Sequence, residues 1–187
     1  MRRKFFSKVL YGWMKWQVVK TVPEVRRSII CVAPHTSNWD FVIAILYKWS
    51  IGLHSYFLMK SSWFFFPLGP LLKSIGGIPI DRSRHGHLTD YLAELLSRHS
   101  DMHIAITPEG TRNVNPRWKK GFYFIAQKAS VPIQLYGIDF PGKRIVCTKQ
   151  IVPCGNLEKD MREISGYYRQ FKDTGLKPEK FALDEGD

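Results

Sequence analysis

Residues 28–50 read SIICVAPHTSNWDFVIAILYKWS, and this stretch decides the fold class. Its first six residues are small or apolar and include three β-branched side chains, a composition typical of a buried strand. Ser37 and Asn38 are good helix N-caps, and the mainly apolar segment after them is long enough for several helical turns. The stretch therefore predicts a strand over residues 28–33, a polar loop, and a helix over residues 38–50.

Strand and helix patterns alternate along the rest of the chain. We predict further strands over residues 55–60, 78–80, 102–107, 132–139 and 144–151. We predict further helices over residues 88–96, 119–130 and 156–171. This order predicts an α/β fold in which a mostly parallel central sheet is flanked by helices. In such sheets, functional residues lie in the loops that follow the carboxyl ends of the strands.

The N-terminal segment is basic and amphipathic. Residues 2–20 contain six basic residues and no acidic one, and their apolar and aromatic side chains recur at helical spacing. Such a helix can lie on an anionic membrane surface, or it can dock on the domain with its basic face in water. We assign residues 1–22 to a membrane-surface helix, residues 23–173 to the α/β domain, and residues 174–187 to a polar tail that frays.

Charge and composition narrow the function classes. The 187 residues include 28 Lys and Arg against 16 Asp and Glu, a formal net charge of +12, which favours anionic partners. Three cysteines without a CxxC motif argue against a disulfide scaffold and favour a reducing compartment. Every uncharged stretch is shorter than the roughly 20 residues that a membrane-spanning helix needs. We therefore expect a cytoplasmic protein that is soluble or lies on a membrane surface.

The loop after the first predicted strand carries a histidine and, five residues later, an aspartate. In this spacing the Asp40 carboxylate can hold one imidazole nitrogen of His35 and leave the other nitrogen as a base. Ser37 and Asp40 are also ordinary residues for the start of a helix, so the motif by itself permits a purely structural interpretation.

Two more predicted strands end in charged residues. Arg82 follows the strand at residues 78–80 and suits a phosphate or carboxylate, whereas residues 107–113 read TPEGTRN and include Glu109 and Arg112. Gly110 allows close approach of a ligand to the backbone, and the amides of this turn are candidate donors to an oxyanion. Each cluster alone could be a solvated turn. Three of them at strand ends predict a cleft with a base, an orienting carboxylate and arginines for an anion.

Taken in order, these motifs resemble those of the glycerolipid (lysophospholipid) acyltransferases, typified by 1-acylglycerol-3-phosphate acyltransferase. The H-x4-D motif of that family matches residues 35–40, and its P-E-G-T-R block matches residues 108–112. Its G-x-x-hydrophobic-x-R motif matches residues 77–82, and its V-P-hydrophobic strand matches residues 131–133. Pro34 and Asn113 depart from the family, in which Asn often precedes the histidine and Ser often follows the arginine.

The resemblance implies a reaction. A fatty acyl group would move from the thioester of an acyl-CoA or an acyl carrier protein to a hydroxyl of a lysophospholipid-type acceptor, by default 1-acylglycerol-3-phosphate. There would be no acyl-enzyme, no metal and no cofactor, and the protein would work on the inner face of the cell membrane. The resemblance assigns catalysis to His35 and Asp40, and acceptor binding to Arg82, Glu109, Gly110, Thr111 and Arg112.

Other functions remain open from the sequence. The basic, aromatic-rich composition also fits a nucleic-acid-binding domain, although no known nucleic-acid module is present and we expect no nucleic-acid partner. A lipid-binding module that kept the fold, or an acyltransferase with a non-phosphate or amine acceptor, are further alternatives. A metal enzyme is disfavoured, because neither His85 with His87 nor His99 with His103 has a ligand partner at suitable spacing.

The densest aromatic run is WFFFPL at residues 63–68. It could line a path for the acyl chain or wedge into a bilayer. Most such runs are buried in the core, so the sequence predicts burial.

Overall fold

The computed structural model describes residues 2–80 and 88–186. Its helices are α1 (Arg2–Ser7, continued by a π-helical segment, Lys8–Trp13), α2 (Asn38–Ile51), α3 (Leu68–Ser74), α4 (Leu88–Arg98), α5 (Gly121–Ala129) and α6 (Leu157–Tyr168). Its strands are β1 (Gln17–Lys20), β2 (Arg27–Ala33), β3 (Ser55–Lys60), β4 (Gly77–Ile80), β5 (Met102–Ile106), β6 (Ile133–Asp139) and β7 (Arg144–Ile151). Short 3-10 turns are formed by Ser61–Trp63, Arg169–Phe171 and Pro178–Lys180.

The strands form one sheet in the order β1-β7-β6-β2-β5-β3-β4. Strands β6, β2, β5, β3 and β4 run parallel to one another, whereas β7 is antiparallel to β6 and β1 is parallel to β7. In the centre, Ile29 of β2 pairs with Ile104 of β5 and with Ile133 of β6. The predicted α/β fold with a mostly parallel sheet is confirmed. Strand β2 lies between two parallel neighbours, so its carboxyl end lies in the middle of the functional edge.

Helices cover both faces of this sheet. On one face, α4, α5 and α6 bury a large core that includes Leu92, Phe122 and Tyr168. On the other face, α1 and α2 bury a smaller core that includes Leu10 and Tyr47. β2 contributes to both cores with alternate side chains, which is the reason for its continuous apolar run.

The N-terminal helix is shorter than predicted. It ends at Trp13, and Gln17–Lys20 forms strand β1 on the sheet edge instead of continuing the helix to residue 22. Lys15 takes a left-handed backbone conformation (φ 61°) between the two elements, and Val18 and Val19 favour the strand.

Helix α1 docks on α2, as one of the two sequence interpretations expects. Leu10 is completely buried, the Phe6 and Trp49 rings lie 4.5 Å apart, and the Ser7 hydroxyl donates to the Ser50 carbonyl at 3.4 Å. Phe5 and Trp13 nevertheless remain exposed among basic residues. The docked helix therefore still presents aromatic side chains to the outside.

The C-terminal tail packs on the domain, contrary to the expectation of fraying. The Trp118 indole N–H donates to the Ala182 carbonyl at 3.0 Å, and the Trp118 backbone N–H donates to Asp184 at 3.0 Å. Phe181 is only 7% exposed and belongs to the larger core. The acidic composition of the tail suggests a solvated segment, so the burial of Phe181 could not be predicted from it.

The aromatic run at residues 63–68 is not core. Trp63, Phe65 and Phe66 are exposed, and Phe66 is the most exposed of the three at 86%. The run follows the carboxyl end of β3 in the loop that leads to α3. Among its aromatic side chains only Phe64 is partly buried, and its ring reaches Gly77 at the start of β4.

In the described part of the chain, no helix combines the length and the apolar character that crossing a bilayer requires.

Candidate active site

The loop between β2 and α2 forms the start of the site. Ser37 is the N-cap of α2 and accepts a hydrogen bond from the Trp39 N–H at 3.1 Å. In return, Asp40 accepts hydrogen bonds from the N–H groups of Thr36 and Ser37, at 2.7 and 2.8 Å. This reciprocal capping follows from the S-x-x-D sequence and fixes the loop that carries His35.

His35 and Asp40 lie together as their spacing predicts. The His35 Nδ1 atom is 3.3 Å from the Asp40 Oδ2 atom, the same oxygen that accepts from the loop amides. The aspartate side chain is only 2% exposed, whereas the histidine side chain is 19% exposed. The structural and the catalytic interpretation of Asp40 are therefore compatible, because one carboxylate caps the helix and meets the imidazole. With Nδ1 protonated toward Asp40, Nε2 is the nitrogen that can accept a proton.

Glu109 lies in the loop that follows β5, the strand next to β2. Its Oε1 atom accepts a hydrogen bond from the His35 backbone N–H at 2.7 Å. The residue is completely buried, and its Oε2 atom has no hydrogen-bond partner among the described residues. Burial raises the pKa of Glu109 to about 8, assisted by the negative charge of Asp40 and opposed by the His35 hydrogen bond. Glu109 is therefore mainly protonated at pH 7, and it holds the backbone of His35 through this hydrogen bond, a contact that the sequence does not reveal.

The turn after Glu109 is tightly held. Gly110 has a positive φ of 67°, and its N–H donates to the Thr107 carbonyl at 3.1 Å. That amide is therefore engaged and is not a free donor to an oxyanion. The Asn115 side-chain amide donates to the Glu109 carbonyl at 2.7 Å, which closes the loop on itself.

Arg112 brings this second loop against the first. Its guanidinium donates to the Asn38 side-chain oxygen in the first turn of α2. Arg112 is exposed, so its remaining N–H groups can meet an anion from solvent. The Thr111 hydroxyl accepts a hydrogen bond from the Asn113 N–H at 3.2 Å and shapes the same turn. The structure thus brings together six of the seven predicted site residues: His35, Asp40, Glu109, Gly110, Thr111 and Arg112.

Arg82, the seventh, lies outside the described residues, as do His85 and His87. Strand β4, which precedes Arg82 in sequence, is separated from β2 in the sheet by β3 and β5.

A C-terminal segment, residues 175–177, contacts the loop between β2 and α2. We refer to the segment as the strap and to the loop, residues 34–37, as the histidine loop. The Lys177 N–H donates to the Thr36 hydroxyl at 3.2 Å. A Cβ atom on Gly175 would lie only 3.0 Å from the Thr36 side chain, so a larger residue at position 175 would require the Thr36 side chain to shift. Gly175 is the one sequence signal for this contact, and it gives no hint of a partner so far away in the chain.

The histidines outside this site have separate partners. His103 is buried and shares a 2.8 Å hydrogen bond with the Ser28 hydroxyl, whereas the exposed His99 contacts the Leu95 carbonyl at 2.8 Å. Across residues 2–80 and 88–186, no three His, Cys, Asp or Glu side chains are grouped as a metal site.

The comparisons with known proteins identify the family and the fold. A family model described as Acyltransferase matches residues 16–138, well over half of the chain, and this range contains both described loops of the site. The fold is similar to that of the 1-acyl-sn-glycerophosphate (LPA) acyltransferase PlsC from Thermotoga maritima, with a TM-score of 0.60 and 18% sequence identity. That similarity covers 94% of this chain and 80% of the Thermotoga maritima chain. No curated protein matches the sequence significantly.

The family match includes the histidine, the aspartate and the glutamate that the structure places together, and the structural match extends over nearly the whole chain. The resemblance predicted from the motifs is confirmed in family and in fold. The chain belongs to the acyltransferase family.

Proposed function

We propose that the protein transfers a fatty acyl group from an acyl-CoA or acyl carrier protein thioester to a hydroxyl of a lysophospholipid-type acceptor, with 1-acylglycerol-3-phosphate as the first choice. The observation that carries the proposal is the contact of 3.3 Å between His35 Nδ1 and a buried Asp40 carboxylate. Family membership favours an enzyme over the nucleic-acid-binding domain and the lipid-binding module.

His35 is the general base in this mechanism. Its Nε2 atom takes the proton of the acceptor hydroxyl as the oxygen attacks the thioester carbonyl carbon, and a tetrahedral intermediate forms. Collapse of the intermediate forms the ester, breaks the carbon–sulfur bond and releases a thiolate, which takes the proton from the imidazolium. Asp40 holds the ring and stabilises its charged form. Both substrates are bound together, so the acyl group passes directly from one to the other and no acyl-enzyme forms. No cofactor or metal takes part.

The acceptor phosphate binds next to His35. Arg112 supports this assignment, because its exposed guanidinium is tied to Asn38 at the start of α2, only three residues beyond His35 in the chain. Thr111 and Gly110 shape the turn from which Arg112 projects. Arg82 supplies a second positive charge in this proposal, and Glu109 maintains the shape of the site through the His35 backbone.

The protein works on the anionic inner face of the cell membrane, from the cytoplasm. The net charge of +12 supports this placement, since each basic residue near an anionic surface contributes about 1 kcal/mol. Helix α1 is one contact with the membrane, because Phe5 and Trp13 are exposed among its basic residues.

The test is acyl transfer from labelled acyl-CoA and acyl carrier protein to a panel of lysolipids. The panel contains lysophosphatidic acid, lysolipids without a phosphate, and amine-bearing lipids. We expect product with a phosphate-bearing acceptor, and a loss of about 10²-fold or more in kcat for His35→Ala. His99→Ala, a change at an exposed histidine outside the site, is the matched control and retains activity. Equal activity of wild type and His35→Ala would disprove the mechanism, and a preference for amine acceptors would reassign the acceptor.

A further inference from the structure

The loop between β3 and α3 exposes three large aromatic side chains in four residues. Trp63, Phe65 and Phe66 are 54%, 57% and 86% exposed, and we refer to them as the aromatic loop. Soluble proteins rarely expose so much contiguous apolar surface unless it meets a partner or a membrane. Neither the catalytic contacts nor the packing of the core accounts for this loop.

The backbone of the aromatic loop is closely packed on its inner side. The Phe64 ring lies against Gly77, where an added Cβ would come within 3.2 Å of it. An added Cβ on Gly69 would lie 2.6 Å from the Phe64 carbonyl oxygen, and the Gly69 N–H donates to the Phe65 carbonyl at 2.6 Å. The backbone is therefore tightly packed, with Phe64 as the inward anchor. Phe65 and Phe66 point outward from this packed backbone and are exposed.

The aromatic loop lies on the same edge of the sheet as His35. It follows the carboxyl end of β3, which is two strands away from β2, a distance of about 10 Å. Two further exposed tryptophans lie along this edge. Trp39 is in the first turn of α2, and Trp13 comes shortly before Gln17, which pairs with the first residue of β7. Aromatic side chains thus flank the site from both ends of the edge.

The sequence on both sides of the aromatic loop carries charge of one sign. Lys60 precedes it, Lys73 follows it in α3, both are exposed, and residues 55–75 contain no acidic side chain. Apolar rings at the tip with cations behind them complement a leaflet that has anionic headgroups over an apolar interior. A second copy of this chain, also with a net charge of +12, would instead bring like charges together.

We propose that the aromatic loop inserts into an anionic membrane leaflet as a second membrane contact besides α1, and that this turns the His35 edge toward the lipid. The proposal rests on the proposed function in one respect, that the acceptor resides in a membrane.

The first experiment measures binding to sonicated vesicles of phosphatidylglycerol and phosphatidylcholine. The full chain is compared with the double variant Phe65→Ser/Phe66→Ser and with Tyr91→Ser. Tyr91 is a matched control, because it is 53% exposed but lies on α4, whose helix covers the opposite face of the sheet from α2. We expect the double variant to lose about tenfold or more in vesicle partitioning, because each inserted phenyl ring removes a large apolar surface from water. We expect Tyr91→Ser to bind as the wild type does.

Circular dichroism and size-exclusion chromatography accompany these measurements, since both positions are exposed and the variants should fold and elute as the wild type does. Unchanged vesicle binding of the double variant overturns the proposal, and so does absence of wild-type binding to the vesicles. An equal loss in Tyr91→Ser also overturns it, because the effect would then not be local. A wild-type dimer that becomes monomeric only in the double variant would assign the aromatic loop to a second copy instead.

A second readout separates this proposal from the proposed function. With a short-chain lysolipid below its critical micelle concentration, the double variant should keep the kcat/KM of the wild type. With the same headgroup embedded in vesicles, its rate should fall about tenfold. If the wild type shows no transfer in either assay, the proposed function fails, whereas vesicle binding still decides the role of the aromatic loop.

Discussion

The histidine loop and the aromatic loop both follow parallel strands on the same edge of the sheet, yet they differ in polarity and in exposure. The histidine loop is polar and largely buried, and the Asp40 carboxylate that accepts from its amides has partners at both oxygens. The aromatic loop is apolar and exposed, and only Phe64 is turned inward. This is the reverse of the usual distribution, in which polar residues face water and aromatic residues are buried. The difference indicates that this edge of the sheet has buried polar groups around His35 and an exposed apolar surface beside them.

The largest expected effect tests whether an aromatic side chain belongs to the core or to the surface. Phe181→Ala should lower the free energy of unfolding by about 3–4 kcal/mol, because it removes a buried ring and detaches the C-terminal tail from Trp118. Phe66→Ala should change it by less than about 0.5 kcal/mol, because that ring is already in solvent. Denaturant unfolding of the two variants measures both values. A large loss in Phe66→Ala would mean that the aromatic loop is part of the folded core.

The next effect separates the two roles of Asp40. Asp40→Asn should lower kcat by about 10²-fold, since a neutral amide neither holds the His35 tautomer nor stabilises its charged form. Ser37→Ala removes the N-cap hydroxyl and should cost about 1 kcal/mol of stability while leaving the contact with His35 in place. Steady-state kinetics and thermal unfolding of both variants test this. A similar loss of kcat in Ser37→Ala would show that helix capping alone carries the effect of Asp40.

The smallest effect concerns Glu109 and pH. Its pKa is raised to about 8 in the folded protein from an ordinary value of 4.5, so the folded state binds the extra proton between these two values. Stability from this group is therefore complete below pH 4.5 and is lost as the pH rises toward 8. Between pH 6 and 7.5 the wild type should lose about 2 kcal/mol, whereas Glu109→Gln should lose much less. Glu179→Gln, at an exposed position, is the control and should keep the wild-type slope in thermal unfolding.

Most of the sheet could be predicted from local patterns. Strands β3 and β7 begin and end at the predicted residues, and α2 ends one residue later than predicted. Apolar runs between turn residues determine these limits locally. Strand β1 was missed because its short basic sequence continues the helical pattern, and only pairing with β7 makes it a strand. The exposure of the aromatic run could not be predicted either, since it depends on which elements pack against the loop after β3.

The site could be predicted in its chemistry but only partly in its arrangement. The spacing from His35 to Asp40 lies within one loop, so it determines the contact between them. The hydrogen bond from the His35 backbone to Glu109 joins residues 74 positions apart and needs β2 and β5 to be neighbours. The strap at Gly175 and Lys177 is still more distant from Thr36 in sequence. Long-range contacts of this kind leave no periodic signal.

The Asp40 Oδ2 atom serves the start of α2 and the imidazole at once, and this has a consequence for how the sequence can change. A population of variants selected only for soluble folding would keep aspartate at position 40, because its loss weakens the start of α2, a helix that packs on one face of the sheet. Position 35 would be free to drift under the same selection, since its side chain makes no comparable contribution to the fold. A relative that has lost catalysis but kept its structure would then have aspartate at position 40 without histidine at position 35. This pattern would distinguish a catalytically inactive relative from an active enzyme.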